Sequence, residues 1–156
     1  MHVRGSLTDD EISRFLSERT IPIRLGCRTP SGHPWMLSMW YRYRADGEDG
    51  SDDWTLDCAT AEGAKVVGYL REDPALSFEV STNDPPYAGV RGRGTATIEA
   101  DPEKETLRDL LDRYLGGTDS ELARNLLRED REEVTISIEP AVVYGWDFSD
   151  RTGAGG

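Results

Sequence analysis

Trp54-Thr-Leu-Asp-Cys-Ala-Thr-Ala-Glu-Gly-Ala-Lys-Val-Val-Gly-Tyr-Leu-Arg-Glu-Asp-Pro74 reads as a strand, a polar turn and a short helix with a lysine in its first turn. The start of such a helix presents free backbone N–H groups, and the lysine adds a cation beside them. That combination suits a phosphate or another anion. Lys65 stands out because the chain has two lysines, Lys65 and Lys104, against sixteen arginines. The same letters also suit a plain strand-to-helix connection with a solvated lysine. Both readings stay open on this stretch alone.

Outward from it, the chain alternates strand and helix signals. Leu7-Thr8-Asp9-Asp10-Glu11-Ile12 predicts a helix start. Thr8 and Glu11 have the spacing of a reciprocal capping box, and Leu7 and Ile12 that of a hydrophobic staple. Ile21 to Arg28 alternates as a strand, Pro30-Ser31-Gly32-His33 is a hairpin turn, and Pro34 to Arg44 is the return strand. Both faces of that return strand carry bulky groups, as when a ligand, helix or partner covers the second face. Ala45 to Asp53 reads as a mobile acidic loop, after which Trp54 to Thr60 completes a three-stranded meander.

The helix over Glu62 to Arg71 stops at Asp73-Pro74, because proline disfavours a helical residue before it. Ala75 to Ser81 and Tyr87 to Glu99 follow as strands. In the second, Gly89, Gly92 and Gly94 signal bulges or the close approach of another body. Helical segments over Pro102 to Leu115 and Asp119 to Arg128 precede a final strand from Glu133 to Trp146. Six strands, mainly antiparallel, with helices between and after them, define an α+β fold on a small barrel. At 156 residues a single domain over 1–150 is expected, with a disordered tail over 151–156.

Composition narrows the function. Thirty acidic against eighteen basic residues give a net charge of −12, which repels nucleic-acid phosphates and anionic membranes. No apolar run approaches the roughly 20 residues of a membrane-spanning helix. Met1 to Ser6 also lacks the apolar core of a signal peptide, so a cytoplasmic location is expected. The acid excess with so little lysine suggests a halophilic protein, the alternative being an ordinary acidic one. Equal stability in dilute buffer and molar salt would exclude the first. Cys27 and Cys58 lack metal or disulfide spacing and read as buried hydrophobes. With two histidines, His2 and His33, neither a metal cluster nor a histidine-based nucleophile is expected. Acidic pairs such as Asp9/Asp10 and Glu132/Glu133 read as solvated surface. Arg91 and Arg93 are either a solvent-facing rung or an anion patch.

In order and spacing these segments resemble the pyridoxamine 5′-phosphate oxidase-like family of flavin-binding split β-barrels, over residues 8–148. The residues that carry the resemblance are Gly32-His33-Pro34, Met39-Trp40-Tyr41, Ala59-Thr60, Gly63-Ala64-Lys65, Leu70-Arg71-Glu72-Asp73-Pro74, Tyr87 to Ala96 and Gly145-Trp146-Asp147-Phe148. The resemblance implies a six-stranded split β-barrel with flanking helices, a homodimer with FMN at the interface, and flavin-dependent oxidoreductase or reductase activity on a small molecule. It places Met39 and Trp40 along the ring through their backbone, with Ala59 and Thr60 at the third strand's end, where Thr60 bonds the flavin or ribityl chain. Ala64 and Lys65 would hold the phosphate, and Trp146 would cover the ring, from either subunit. Trp40 and Trp146 also suit a plain aromatic core or dimer contact, and Thr60 a simple strand end. The chain departs from the family at the phosphate turn, where Ala64-Lys65-Val66 lacks a serine hydroxyl and a second cation. One lost charged donor weakens phosphate binding by about 1.5–3 kcal/mol. The cofactor alternative is the deazaflavin F420. The non-enzyme alternative is a dimeric barrel that binds flavin or haem without turnover. An empty site is the third possibility, and the substrate is set by loops and pocket shape.

Overall fold

A computed structural model describes residues 1–45 and 53–149. In chain order the elements are β1 (His2–Gly5), α1 (Asp9–Glu18), β2 (Ile23–Arg28), β3 (Pro34–Met39), β4 (Arg42–Ala45), β5 (Trp54–Ala61), α2 (Lys65–Glu72), β6 (Ala75–Ser81), β7 (Ala88–Ala100), α3 (Glu105–Leu115), α4 (Glu121–Leu126) and β8 (Glu133–Asp147). The strands form one sheet in the order β3-β2-β6-β7-β8-β5-β4, and β1 pairs with β8. All these pairings are antiparallel except β1 with β8. Most of the loop expected over Ala45 to Asp53, and the tail over 151–156, lie outside the described residues.

The six segments expected as strands are all present, with one correction to the meander. The return strand does not run unbroken from Pro34 to Arg44. It stops at Met39, bends through Trp40 and Tyr41, and resumes at Arg42. β3 pairs with β2, whereas β4 pairs with β5 at the far end of the sheet. Two residues therefore join the sheet's two edges, which forces the sheet to curl until those edges face each other. They remain unpaired to one another, so the barrel is split rather than closed. Tyr41 makes the bend tenable. Its side chain is fully buried, and its hydroxyl donates to Leu16 O at 2.7 Å, so its polar tip is satisfied inside the core.

The barrel interior is filled by alternate residues. Leu56 and Cys58 of β5 stand opposite Ile138 and Ile136 of β8, and all four are fully buried. Both cysteines are free and buried, as their surroundings in the sequence imply. The capping box of α1 forms as expected. Thr8 Oγ1 accepts from Glu11 N–H at 3.2 Å, and Glu11 Oε2 accepts from Thr8 N–H at 2.8 Å. Ile12 and Leu16 then pack into the main hydrophobic core, each burial contributing about 1.5–3 kcal/mol. A side chain at Gly145 would sit 3.0 Å from Leu7 and Ile12, so glycine lets the staple pair rest on β8.

The glycines of β7 act as their pattern predicts. A Cβ at Gly89 would meet the Trp146 ring at 2.6 Å, so the indole lies directly on the strand. The helix at the opening stretch starts at Lys65, three residues later than expected, and α3 starts at Glu105 rather than Pro102. In the second case Asp101 is the reason. Its buried carboxylate accepts from Glu105 N–H and Thr106 N–H, both at 3.0 Å, and so fixes where the helix begins.

Candidate functional site

Where β3 runs into Trp40, the split in the barrel opens into a cavity of about 450 Å³. One wall is β3 and the bend, with Leu37, Ser38, Met39 and Trp40. The other is the end of β5, with Ala59 and Thr60. Both walls are strand edges. β3 pairs on one side only, and β4 reaches no farther along β5 than Asp57, so residues 58–61 pair with β8 alone. Unpaired strand edges present backbone donors and acceptors to whatever lies between them. Leu107 and Leu110 of α3 and Leu126 of α4 close the cavity with apolar side chains, and Arg131 and Glu133 add charge where β8 begins.

The sequence therefore brought four of its seven candidates together: Met39, Trp40, Ala59 and Thr60 line one cavity. Ala64, Lys65 and Trp146 are outside that lining. Ala64 is the N-cap of α2 and makes no side-chain cap hydrogen bond, so the first N–H groups of α2 have no side-chain acceptor of their own. Lys65 is the first helical residue and is exposed. Nearby, Glu62 and Arg71 form a two-point ion pair that holds the Glu62 carboxyl below the usual carboxylate range. Trp146 lies on the outer face of the sheet, 9% exposed, beneath the Arg91 guanidinium 5.4 Å from its ring centre.

The same outer face carries a second concavity of about 440 Å³ between Arg24, Met36, Ser77, Arg91, Arg93 and Tyr144. Arg91 and Arg93 are both exposed there, and Arg91 stacks 4.6 Å above the Tyr144 ring. Tyr144 and Met36 are exposed large side chains on this surface.

Trp40 is held by α3. Its indole stacks on Tyr114, with centroids 5.2 Å apart and planes 9° from parallel. Burial pushes the Tyr114 hydroxyl above the ordinary phenol range, so it stays protonated and donates to Ile21 O at 3.0 Å. It also accepts from Tyr41 N–H at 3.3 Å, in the bend itself.

Sequence reasoning missed the charged end of the cavity. Glu133 is not solvated surface; it is 4% exposed, and Arg131 Nε–H donates to its Oε1. Its neighbour Glu132 is exposed, as expected. Period two in β8 shows only which face Glu133 occupies, and no short window of the chain signals its burial. Glu133, Thr135 and Ser137 fall on the β8 face opposite the buried Val134, Ile136 and Ile138. Thr135 donates to Thr106 Oγ1 of α3 at 2.8 Å, so helices cover that polar stripe. Among the described residues no helix is long and apolar enough to cross a membrane.

Comparison with solved structures defines the class: this is the pyridoxamine 5′-phosphate oxidase-like split-barrel fold. A conserved hypothetical protein from Mycobacterium tuberculosis matches at a TM-score of 0.74 and 22% identity, over 97% of this chain and 93% of that one. An F420 reductase matches at 0.65 and 24% identity, over 83% and 94%. A putative pyridoxamine 5′-phosphate oxidase from Listeria innocua matches at 0.59 and 16% identity, over 90% and 98%. No protein-family model and no curated protein matches the sequence.

Proposed function

We propose that the protein is a flavin-type oxidoreductase that holds FMN, or the deazaflavin F420, in the split between β3 and β5. The observation that carries this reading is the convergence of Met39, Trp40, Ala59 and Thr60 on one cavity between two unpaired strand edges. A flat heterocycle rimmed with carbonyl and imide groups fits that setting. Its faces suit Trp40, Leu107 and Leu126, and its edges suit backbone N–H and C=O groups.

When bound, the cofactor supplies hydride chemistry, and the chain supplies binding, orientation and exclusion of water. Met39 and Trp40 line the ring, Thr60 offers a hydroxyl, and the apolar side chains of α3 and α4 exclude solvent. The uncapped start of α2 and Lys65 hold a phosphate, the sole lysine there replacing the usual pair of donors. Trp146 serves the cofactor of a second copy in a homodimer. What supports that arrangement is its place on the outer sheet face, its ring centre 6.4 Å from that of the exposed Tyr144. F420 is the alternative cofactor, supported by the likeness to an F420 reductase. The substrate class is a small molecule.

The test is a difference-spectrum titration of the purified protein with FMN and with F420, followed by attempted reduction with NADH and NADPH. Saturable binding of one cofactor and its reduction support an oxidoreductase. Binding without reduction by any donor supports the non-catalytic barrel. No binding of either cofactor overturns the proposal.

A further inference from the structure

Of the residues that line the split cavity, two are charged, Arg131 and Glu133. Their side chains differ in access. That of Glu133 has no solvent exposure, whereas that of Arg131 is 30% exposed. Arg131 is therefore the charged group that the cavity presents to an incoming molecule, and Glu133 is its anchor. The buried Glu133 Oε1 accepts from Arg131 Nε–H, so the guanidinium cannot swing away without stranding a carboxylate out of water. The sheet fixes the anchor in turn. Glu133 pairs with Ala61, the residue after Thr60, and the adjoining Glu132 O accepts from Glu62 N–H at 3.0 Å.

Nε is the guanidinium nitrogen in use. Among the described residues the two terminal amino groups of Arg131 meet no acceptor. They offer a planar set of N–H donors with a positive charge, which two oxygens of a carboxylate or phosphate match. The ion pair is a dipole whose negative end is buried and whose positive end is the accessible one. Leu37, Leu107, Leu110 and Leu126 make the rest of the cavity apolar, which lowers the local dielectric and strengthens the attraction. The net charge of −12 does not cancel it, because exposed charges more than about 10 Å away are screened. A neutral group pressed against this end would desolvate the donors and give nothing in return.

We infer that the terminal amino groups of Arg131 take an oxyanion, a carboxylate or phosphate, carried by the molecule that enters the split. This rests on the reading of the split as the ligand site and gives its ligand a charge. The oxyanion belongs to the substrate, which is then a small acid, or to the cofactor's own phosphate. The first source follows if the start of α2 already holds that phosphate.

The experiment titrates wild type and Arg131→Met with benzoate and with its neutral counterpart benzamide, followed through the indole N–H NMR signal of Trp40. Wild type should bind benzoate about ten-fold or more tightly than benzamide, and Arg131→Met should bind the two alike. Equal binding by wild type, or no binding of benzoate, overturns the inference. Undiminished preference in Arg131→Met overturns it as well. The titrations are then repeated on protein saturated with whichever of FMN and F420 binds. A preference for benzoate that persists there assigns the oxyanion to the substrate. Displacement of benzoate, with cofactor affinity about ten-fold weaker in Arg131→Met, assigns it to the cofactor. Displacement with cofactor affinity unchanged in Arg131→Met overturns the inference and leaves the cofactor reading intact. If neither cofactor binds, that reading falls, and the titrations of the free protein still decide the role of Arg131. Should Arg131→Met not fold, because Glu133 is left buried without its partner, Arg131→Met combined with Glu133→Gln replaces it, with thermal unfolding as the check.

Discussion

The indole of Trp40 lies almost parallel to the phenol of Tyr114, their centroids 5.2 Å apart. One is in the bend that joins the two edges of the barrel, and the other is on α3, which roofs the cavity. Together with the Tyr114 hydroxyl, which bonds Ile21 O and Tyr41 N–H, the stack fixes the width of the split. The fold thus places an aromatic wall at the cavity before any ligand arrives.

Tyr114→Phe keeps the stack and loses the hydroxyl's bonds. It should cost about 1–2 kcal/mol. Tyr114→Ala removes both and should cost about 2–4 kcal/mol, toward the lower part of the range for buried aromatics because Tyr114 is half-buried. Urea unfolding measures both. Equal losses in the two variants would mean that the stack contributes nothing.

Asp57 predicts a second stability loss, on the same side of the sheet. Its carboxylate is fully buried and accepts from Arg42 Nε at 3.1 Å and Ser137 Oγ at 2.8 Å, with Arg44 Nε at 3.2 Å. Arg42 also reaches Asp109 of α3, so one cation ties β4, β5 and the helix together. Asp57→Asn should lower stability by about 1.5–3 kcal/mol. That is less than for a fully buried pair, because both arginines are partly solvated. Ser137→Ala should cost about 1 kcal/mol. An unchanged denaturation midpoint for Asp57→Asn would contradict the ion-pair role.

Alkaline pH should destabilise the protein. Burial first, then the nearby Asp57 charge, raises the Cys58 thiol above its ordinary range. Burial likewise raises the Tyr41 and Tyr114 hydroxyls. For these acids the folded state holds the proton more tightly than the unfolded chain, which releases it near pH 8.5 for cysteine and 10 for tyrosine. Their stabilising effect is therefore complete below about pH 8.5 and declines above it, by up to about 1.4 kcal/mol per pH unit for each group that titrates. Unfolding free energies from pH 7 to 11 should fall first with a thiol step and then more steeply. Cys58→Ala should reduce the first step. A flat profile to pH 10 would contradict it.

Much of this architecture was legible because it is local. The capping box at Thr8 and Glu11, the turn at Gly32 and the alternation in β7 and β8 each depend on neighbours within a few residues. The hairpin turn closes as read, with Thr29 N–H donating to His33 O at 2.9 Å and Gly32 at a φ of +87°. The break at Trp40-Tyr41 was not legible, because both residues suit a strand and the bend is imposed by the curl of the whole sheet. β1 was missed for a related reason. Its parallel pairing, Val3 opposite Val143, joins residues from the two ends of the chain. Within the site, Glu133 was hidden among many acidic residues. Its burial depends on α3 and α4 folding over β8, which no short window of sequence contains.

The central claim is that the split between β3 and β5 holds the cofactor, and Ala59 offers the most direct test. It lines the cavity and packs beside Trp40, Leu107 and Leu111, so a larger side chain there must occupy the space between the two edges. The measurement is a titration of wild type and Ala59→Phe with FMN and F420, with circular dichroism confirming that the variant is folded. Saturable binding of one cofactor by wild type, weakened about ten-fold or more in the folded variant, is the predicted result. Equal binding by the two proteins, or no binding of either cofactor by wild type, would contradict it.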